Sequence, residues 1–228
     1  SGVATVSPEF VEPSYLFVSY LIDIKYDQTK TSNSSPEIKV LTAAKVDNYF
    51  GRIVKKFNQL FTRSNLLKEI LTVDKAIESV ILNIYISHRE TVIPTTSQGI
   101  TFSFNNQVTP SSFFSNKITI VLNQVVYDVF IKDKSTDFKS TSGVLVAVDS
   151  NGNIVIDNLG TIDYLTGKII INVIEIQSTN TPNDYIIFNV KVPENINSIR
   201  NQLIIKDDIL LGKYENIVSG SKITVSEL

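Results

Sequence analysis

The stretch Gly160-Thr-Ile-Asp-Tyr-Leu-Thr-Gly-Lys168 decides how this chain is to be read. A glycine-rich run ending in Gly-Lys can cradle phosphates, and the same residues can make a turn between two strands. A phosphate-binding loop needs four residues between its glycines, a Ser or Thr after the Lys, and a helix to follow. Here six residues separate Gly160 from Gly167, Ile169 follows Lys168, and Ile169 to Ile176 is a β-branched run. Such a run reads as a strand. The stretch is therefore read as a hairpin, with Thr166-Gly167 in the turn and Gly167 at a positive φ.

The neighbouring sequence has the same character. Gly143 to Val148 and Ile154 to Ile156 flank Asp149-Ser-Asn-Gly-Asn153, a hairpin signal centred on Asn151-Gly152. Thr101-Phe-Ser-Phe104 alternates before Asn105-Asn106 turns. Lys117 to Lys132 is rich in Ile and Val, and Ile162 to Tyr164, Lys168 to Ile176 and Tyr185 to Val192 add further strands.

The first third reads differently. Leu16, Val18, Tyr20, Ile22, Ile24 and Tyr26 occupy the even positions of a long half-buried strand. Ser34-Ser-Pro-Glu37 then opens a helix, with a Ser as cap, Pro36 in the first turn and Glu37 at the positive end of the dipole. Apolar residues recur at helical spacing from Ile38 to Phe61, where this helix is expected to end. Ser64 is the expected cap of a second helix carrying Leu66, Leu67, Ile70 and Leu71. Ala76 to Arg89 returns to strand, with Val80, Leu82, Ile84 and Ile86 on one face. The expected fold class is thus α+β: a strand–helix–helix–strand unit followed by a β-rich domain, sandwich or barrel-like. The expected division is an N-terminal extension at 1–12, an α/β unit at 13–93, a β-rich domain at 99–193, and C-terminal strands and a tail at 194–228.

Composition narrows the function classes. The chain has 228 residues and a formal net charge of -2. Cysteine is absent, which excludes disulfides and thiolate metal sites. Methionine is absent too and the chain opens Ser1-Gly2, so a fragment, a processed product or a chain with a tag remnant is expected. No apolar run reaches the ~18 residues of a membrane span. The nearest basic cluster, Arg52, Lys55 and Lys56, reads as a solvated helix face. Neither nucleic acid nor membrane is an expected partner.

Catalytic patterns are missing from the sequence. His88 is the single histidine, which rules out a histidine-rich metal site, and it sits at a strand end. No Gly-x-Ser-x-Gly elbow is present. Asp149, Asn151, Asn153 and Asp157 have the early spacing of a calcium loop, but Ile154 and Gly160 stand where that loop needs Gly and Glu. Asp207-Asp208 are adjacent, and neighbours on a strand point to opposite faces. No catalytic residue, metal or cofactor is expected.

Several segments taken in order resemble a known family. They are Glu9 to Val18, Asp23-Ile-Lys-Tyr-Asp27, the Ser34-to-Phe61 helix, Phe61-Thr-Arg-Ser-Asn-Leu66, Asp74 to Ile86, Asp149 to Ile154, Gly160 to Lys168, and Ser198-Ile-Arg-Asn-Gln-Leu203. The set resembles the C-terminal half of the large baseplate wedge protein of T-even-type contractile-tailed bacteriophages. The strand–helix–helix–strand unit is similar to the baseplate J-like domain of contractile tail machines. The resemblance implies a structural, non-enzymatic subunit that associates with itself, as a dimer or ring around the tail hub. It also implies contacts with other wedge proteins and with proteins that start the tail tube and sheath. Its place would be the virion baseplate, assembled in the host bacterial cytoplasm.

Interfaces favour aromatic anchors. Phe113-Phe114, in the Pro110-Ser-Ser-Phe-Phe-Ser115 loop, and Arg200 with Asn201 are the candidate interaction residues. Both rings could instead fold back onto their own domain. The rival class is a receptor- or glycan-binding module of a tail fibre or adhesin, against which the helical pair argues.

Overall fold

In the computed structural model, residues 14–53, 56, 58–135, 137, 139–181, 184–198, 202–206 and 221–228 are described. Strand β1 (Ser14–Tyr26) leads through a short 3-10 turn into helix α1 (Ser35–Ile53). Then come β2 (Leu60–Thr62), α2 (Arg63–Leu71), β3 (Ile77–Thr91), β4 (Thr96–Ser103), β5 (Phe114–Ser115), β6 (Ile118–Leu122) and β7 (Val125–Lys134). They are followed by β8 (Ser142–Val148), β9 (Ile154–Asp163), β10 (Lys168–Thr179), β11 (Tyr185–Val192), β12 (Asn195–Asn197), β13 (Gln202–Lys206) and β14 (Lys222–Glu227).

The period-2 pattern of β1 sets one face of the sheet. Leu16, Val18, Tyr20, Ile22, Ile24 and Tyr26 are all buried. Strand β3 lies antiparallel to β1, pairing Ile22 with Leu82 and Ile24 with Val80, so their apolar sides share that face. Helix α1 adds Ile38, Val46 and Phe50, and α2 adds Leu66 and Ile70. The Phe50 ring lies between Tyr20 at 6.0 Å and Phe61 at 5.5 Å. Each such buried side chain contributes ~1.5–3 kcal/mol. The start of α1 is capped as its sequence suggests. The Ser34 carbonyl accepts the Ile38 N–H, and the Glu37 carboxylate turns back to accept the Ser34 N–H at 2.7 Å.

The α+β reading does not hold. The molecule is mostly β, with two α-helices among the described residues and a closed β-barrel. Three features separate it from a strand–helix–helix–strand unit with an appended β domain. First, α1 ends at Ile53, and Leu60–Thr62 is a strand between the helices that pairs antiparallel with β12. Phe61 keeps its apolar environment in this strand, fully buried against Tyr49 and Phe50. Helical spacing of apolar residues cannot tell these two solutions apart, because the partner strand lies far along the chain. Second, no side-chain bond from the N-cap residue Thr62 caps α2. Glu194 does the capping instead: its carbonyl accepts the Arg63 N–H at 2.9 Å and its carboxylate the Ser64 N–H at 2.8 Å.

Third, one twelve-stranded sheet runs through nearly the whole molecule. Strand β11 pairs with β3 on one side and β5 on the other, and β5 pairs with β7. Beyond β7 the sheet rolls up. Strand β7 pairs with β6 and β8, β8 with β9, and β10 carries β9 along its first part and β6 along its last. The ring therefore closes. A single apolar core connects Leu16 under the helices with Leu145 and Ile162 in the barrel.

The opening stretch forms the β9–β10 hairpin. Asp163 organises its turn: the carboxylate accepts the N–H groups of Leu165 at 2.8 Å and Thr166 at 3.1 Å. Gly167 stands at φ +68. Gly160 serves another purpose, since a Cβ there would lie 2.0 Å from the Ile170 carbonyl oxygen. That glycine allows β9 and β10 to approach closely at the barrel wall.

Candidate interaction surface

The Pro110–Ser115 segment takes its shape from Asp133 on β7. One carboxylate oxygen accepts the Ser111 N–H at 2.6 Å and the Tyr164 hydroxyl at 2.8 Å. The other accepts the Phe113 N–H at 2.9 Å. Ser111 adopts a positive φ of 58 to make this possible. Burial pushes the Asp133 pKa above the usual aspartate value, and the three hydrogen bonds oppose the rise. Tyr164 is also pushed up, first by burial and then by its bond to Asp133.

Clamped in this way, the two aromatic residues part. Phe113 is 2% exposed and stacks on Phe188 at 5.5 Å. The stack continues from Phe188 to Phe102 at 5.1 Å and from Phe102 to His88 at 4.0 Å. Phe114 points to the other side of the sheet. It is half-buried, sits opposite Asn189 and Lys132 in the strand register, and meets Tyr85 edge-on at 6.5 Å.

A buried polar knot fixes the strand below it. The Asn116 side chain accepts the Ile187 N–H at 2.8 Å and donates to the Asn180 side chain at 2.8 Å. The Ser115 hydroxyl accepts the Ile131 N–H at 2.8 Å and donates to the Asn116 carbonyl at 2.7 Å. The short strand β5 thus holds both its neighbours.

Outward from Phe114 lies a groove of about 870 Å³. Its floor is Tyr85, Phe114, Phe130, Lys132 and Lys191, and its walls are residues 109–113 and the 149–152 turn. Four strands, β3, β11, β5 and β7, bring the floor together. Asp149 in the wall is committed to its own turn: it accepts the N–H groups of Asn151 at 2.9 Å and Asn153 at 2.8 Å, and the Asn153 amide at 2.9 Å. These bonds, the Asn153 side chain foremost, lower its pKa.

The other residues singled out in the sequence lie elsewhere. His88 Nε2 bonds to Glu90 at 2.8 Å and its ring lies flat on Phe102. Arg52 pairs with Glu69, and Lys56 donates to the Arg52 carbonyl at 2.9 Å. Lys55, Arg200, Asn201, Asp207 and Asp208 lie outside the described residues. Sequence reasoning missed Tyr85, Lys132, Asn189 and Lys191. Period 2 places Lys132 with Phe130, and Lys191 with Asn189, on one side of each strand. Nothing local says that the two strands share a neighbour.

The site thus consists of a groove on a mostly-β sheet, with two helices seated on β1 and β3. By comparison with known proteins, residues 14–88, from β1 into β3, match the family model described as baseplate structural protein gp6, C-terminal domain III. A curated relative is the baseplate wedge protein gp6 of Enterobacteria phage T4, 24% identical over 166 residues. The match covers 67% of this chain and 25% of that protein, so the chain spans about a quarter of its relative's length. The resemblance to the C-terminal part of a baseplate wedge protein is thereby shown, and the matches support a structural subunit of a phage baseplate.

Proposed function

We propose that this chain is the C-terminal part of a baseplate wedge subunit that associates with itself, as a dimer or a ring around the tail hub. In this reading it also contacts other wedge proteins and those that begin the tube and sheath. It acts mechanically rather than catalytically, and it resides in the virion baseplate after assembly in the host cytoplasm. The family match over residues 14–88 carries the proposal. The strand edges add support. Strands β13 and β14 both pair with β1, and β4 pairs with β10, with no other strand on them among the described residues. Unpaired edges are ready-made sites for joining chains.

Light scattering over a wide range of chain concentration tests the self-association. A dimer or larger species that grows with concentration is the expected result. A strict monomer at every concentration would remove self-association from this part of the protein.

A further inference from the structure

We propose that the groove over Phe114 is a docking site for an acidic, extended polypeptide segment of a neighbouring protein, one that carries an apolar side chain beside its carboxylate. The proposal rests on the assembly reading only for the source of that segment.

Charge comes first. Lys132 and Lys191 both line the groove, and neither ammonium has a carboxylate partner or a hydrogen bond among the described residues. Two acids lie close by, and both are occupied. Asp149 already receives three N–H donors within its turn. Asp133 sits beneath the loop, receiving Ser111, Phe113 and Tyr164. The groove lining therefore carries two ammonium groups against the one Asp149 carboxylate, whose oxygens face its own turn, and a further carboxylate would suit the lysines.

The groove also has an apolar floor. Phe114 on β5 lies between the strands that carry the two lysines, Tyr85 meets its ring from β3, and Phe130 lies alongside on β7. Aromatic rings with a charged rim are the composition of protein interfaces. A free carboxylate alone would leave that surface unused.

Asn189 points the same way. It is fully buried, on the same side of β11 as Lys191, opposite Ser87 and Phe114 in the register. Its Nδ2 and Oδ1 are both buried without a hydrogen-bond partner. An unpaired buried amide costs free energy, and a peptide group supplies both the acceptor and the donor it lacks. Phe114 lies opposite Asn189 in the register, so this amide sits under the groove floor, and a peptide group would reach it only if the Phe114 ring moved aside.

The test uses the full 228-residue chain, isotope-labelled for NMR. The probe is an acetylated, amidated peptide of alternating Glu and Phe, with the matching Lys and Phe peptide as control. The expected result is a saturable shift confined to Tyr85, Phe114, Lys132, Lys191 and the Asn189 side-chain amide. Binding should weaken as salt is raised. The Lys132→Gln, Lys191→Gln double variant removes both charges while keeping a polar side chain with part of each aliphatic stem, and should weaken binding at least ~10-fold, as expected for loss of two charge-assisted contacts. Shifts that are absent, or that survive in the double variant, or that the Lys peptide reproduces, overturn the proposal. If the variant does not fold, the Lys peptide and the salt series on the parent chain still decide. Tighter binding of single-stranded DNA than of the Glu peptide, through the same lysines, also overturns it in favour of a general anion surface. Absence of the protein from purified tails would defeat the baseplate reading alone and leave a bound peptide unexplained by it.

Discussion

Replacing Gly160 with alanine tests the closure of the barrel. The added Cβ would lie 2.0 Å from the Ile170 oxygen and 3.0 Å from both the Ile170 carbonyl carbon and the Ile171 Cα. A tolerable carbon–oxygen contact is roughly 3.3 Å. These neighbours are backbone, so no rotamer change relieves the clash, and the strands must separate by more than an ångström. Gly160 pairs with Ile171 on one side and Leu145 on the other, so both ladders are strained at once. Losing about two ladder bonds, with some groups left unpaired, amounts to roughly 2–4 kcal/mol. For a chain of this size each kcal/mol moves the melting temperature by about 2–4 °C, so a fall of about 5–15 °C is expected. The assay is thermal unfolding followed by circular dichroism, with urea midpoints beside it. Gly51→Ala is the control. It lies within α1 with no atom within 4 Å of its would-be Cβ. That change should stabilise by ~0.5–1 kcal/mol through helix propensity. A Gly160→Ala chain that melts at the parent temperature would refute the close approach of β9 and β10.

Two further substitutions probe polar groups. Asp133→Asn should cost about 1–3 kcal/mol at neutral pH, because an amide replaces a carboxylate on which three donors converge. Burial raises the folded pKa of Asp133 above the ordinary aspartate value, so its contribution to stability is greatest below that value and is lost as pH rises through the folded pKa. Urea midpoints against pH should show that loss in the parent and not in Asp133→Asn; the same slope in both would assign it to another group. Glu194→Ala removes the cap of α2 and should cost about 1 kcal/mol. The Ser64 hydroxyl and then its N–H lower the Glu194 pKa, so this support is present above the ordinary glutamate range and lost as pH falls through the folded value. A variant with unchanged stability at neutral pH would show that α2 does not depend on its distant cap.

Much of the local structure was legible because it depends on neighbours in sequence. The even residues of β1 face the core because successive side chains alternate across a strand. The Asn151-Gly152 and Thr166-Gly167 turns form where a positive φ is cheap, and both glycines adopt one. Ser34 and Glu37 cap α1 because three residues of helix bring them together.

The tertiary structure decided the rest. Leu60–Thr62 leaves the helical pattern because β12 offers it a ladder, and α2 takes its cap from Glu194 in that same return of the chain. β11 joins β3 to β5 and turns two expected units into one sheet. Phe113 and Phe114 read alike in the sequence, yet Asp133 directs one into the core and leaves the other at the groove. Periodicity states which side of a strand is apolar, whereas the identity of the neighbouring strand depends on long-range pairing that no local pattern encodes. The groove lysines and Tyr85 come from strands scattered along the chain, and only the order of the sheet makes them one surface, with Asn189 buried beneath it.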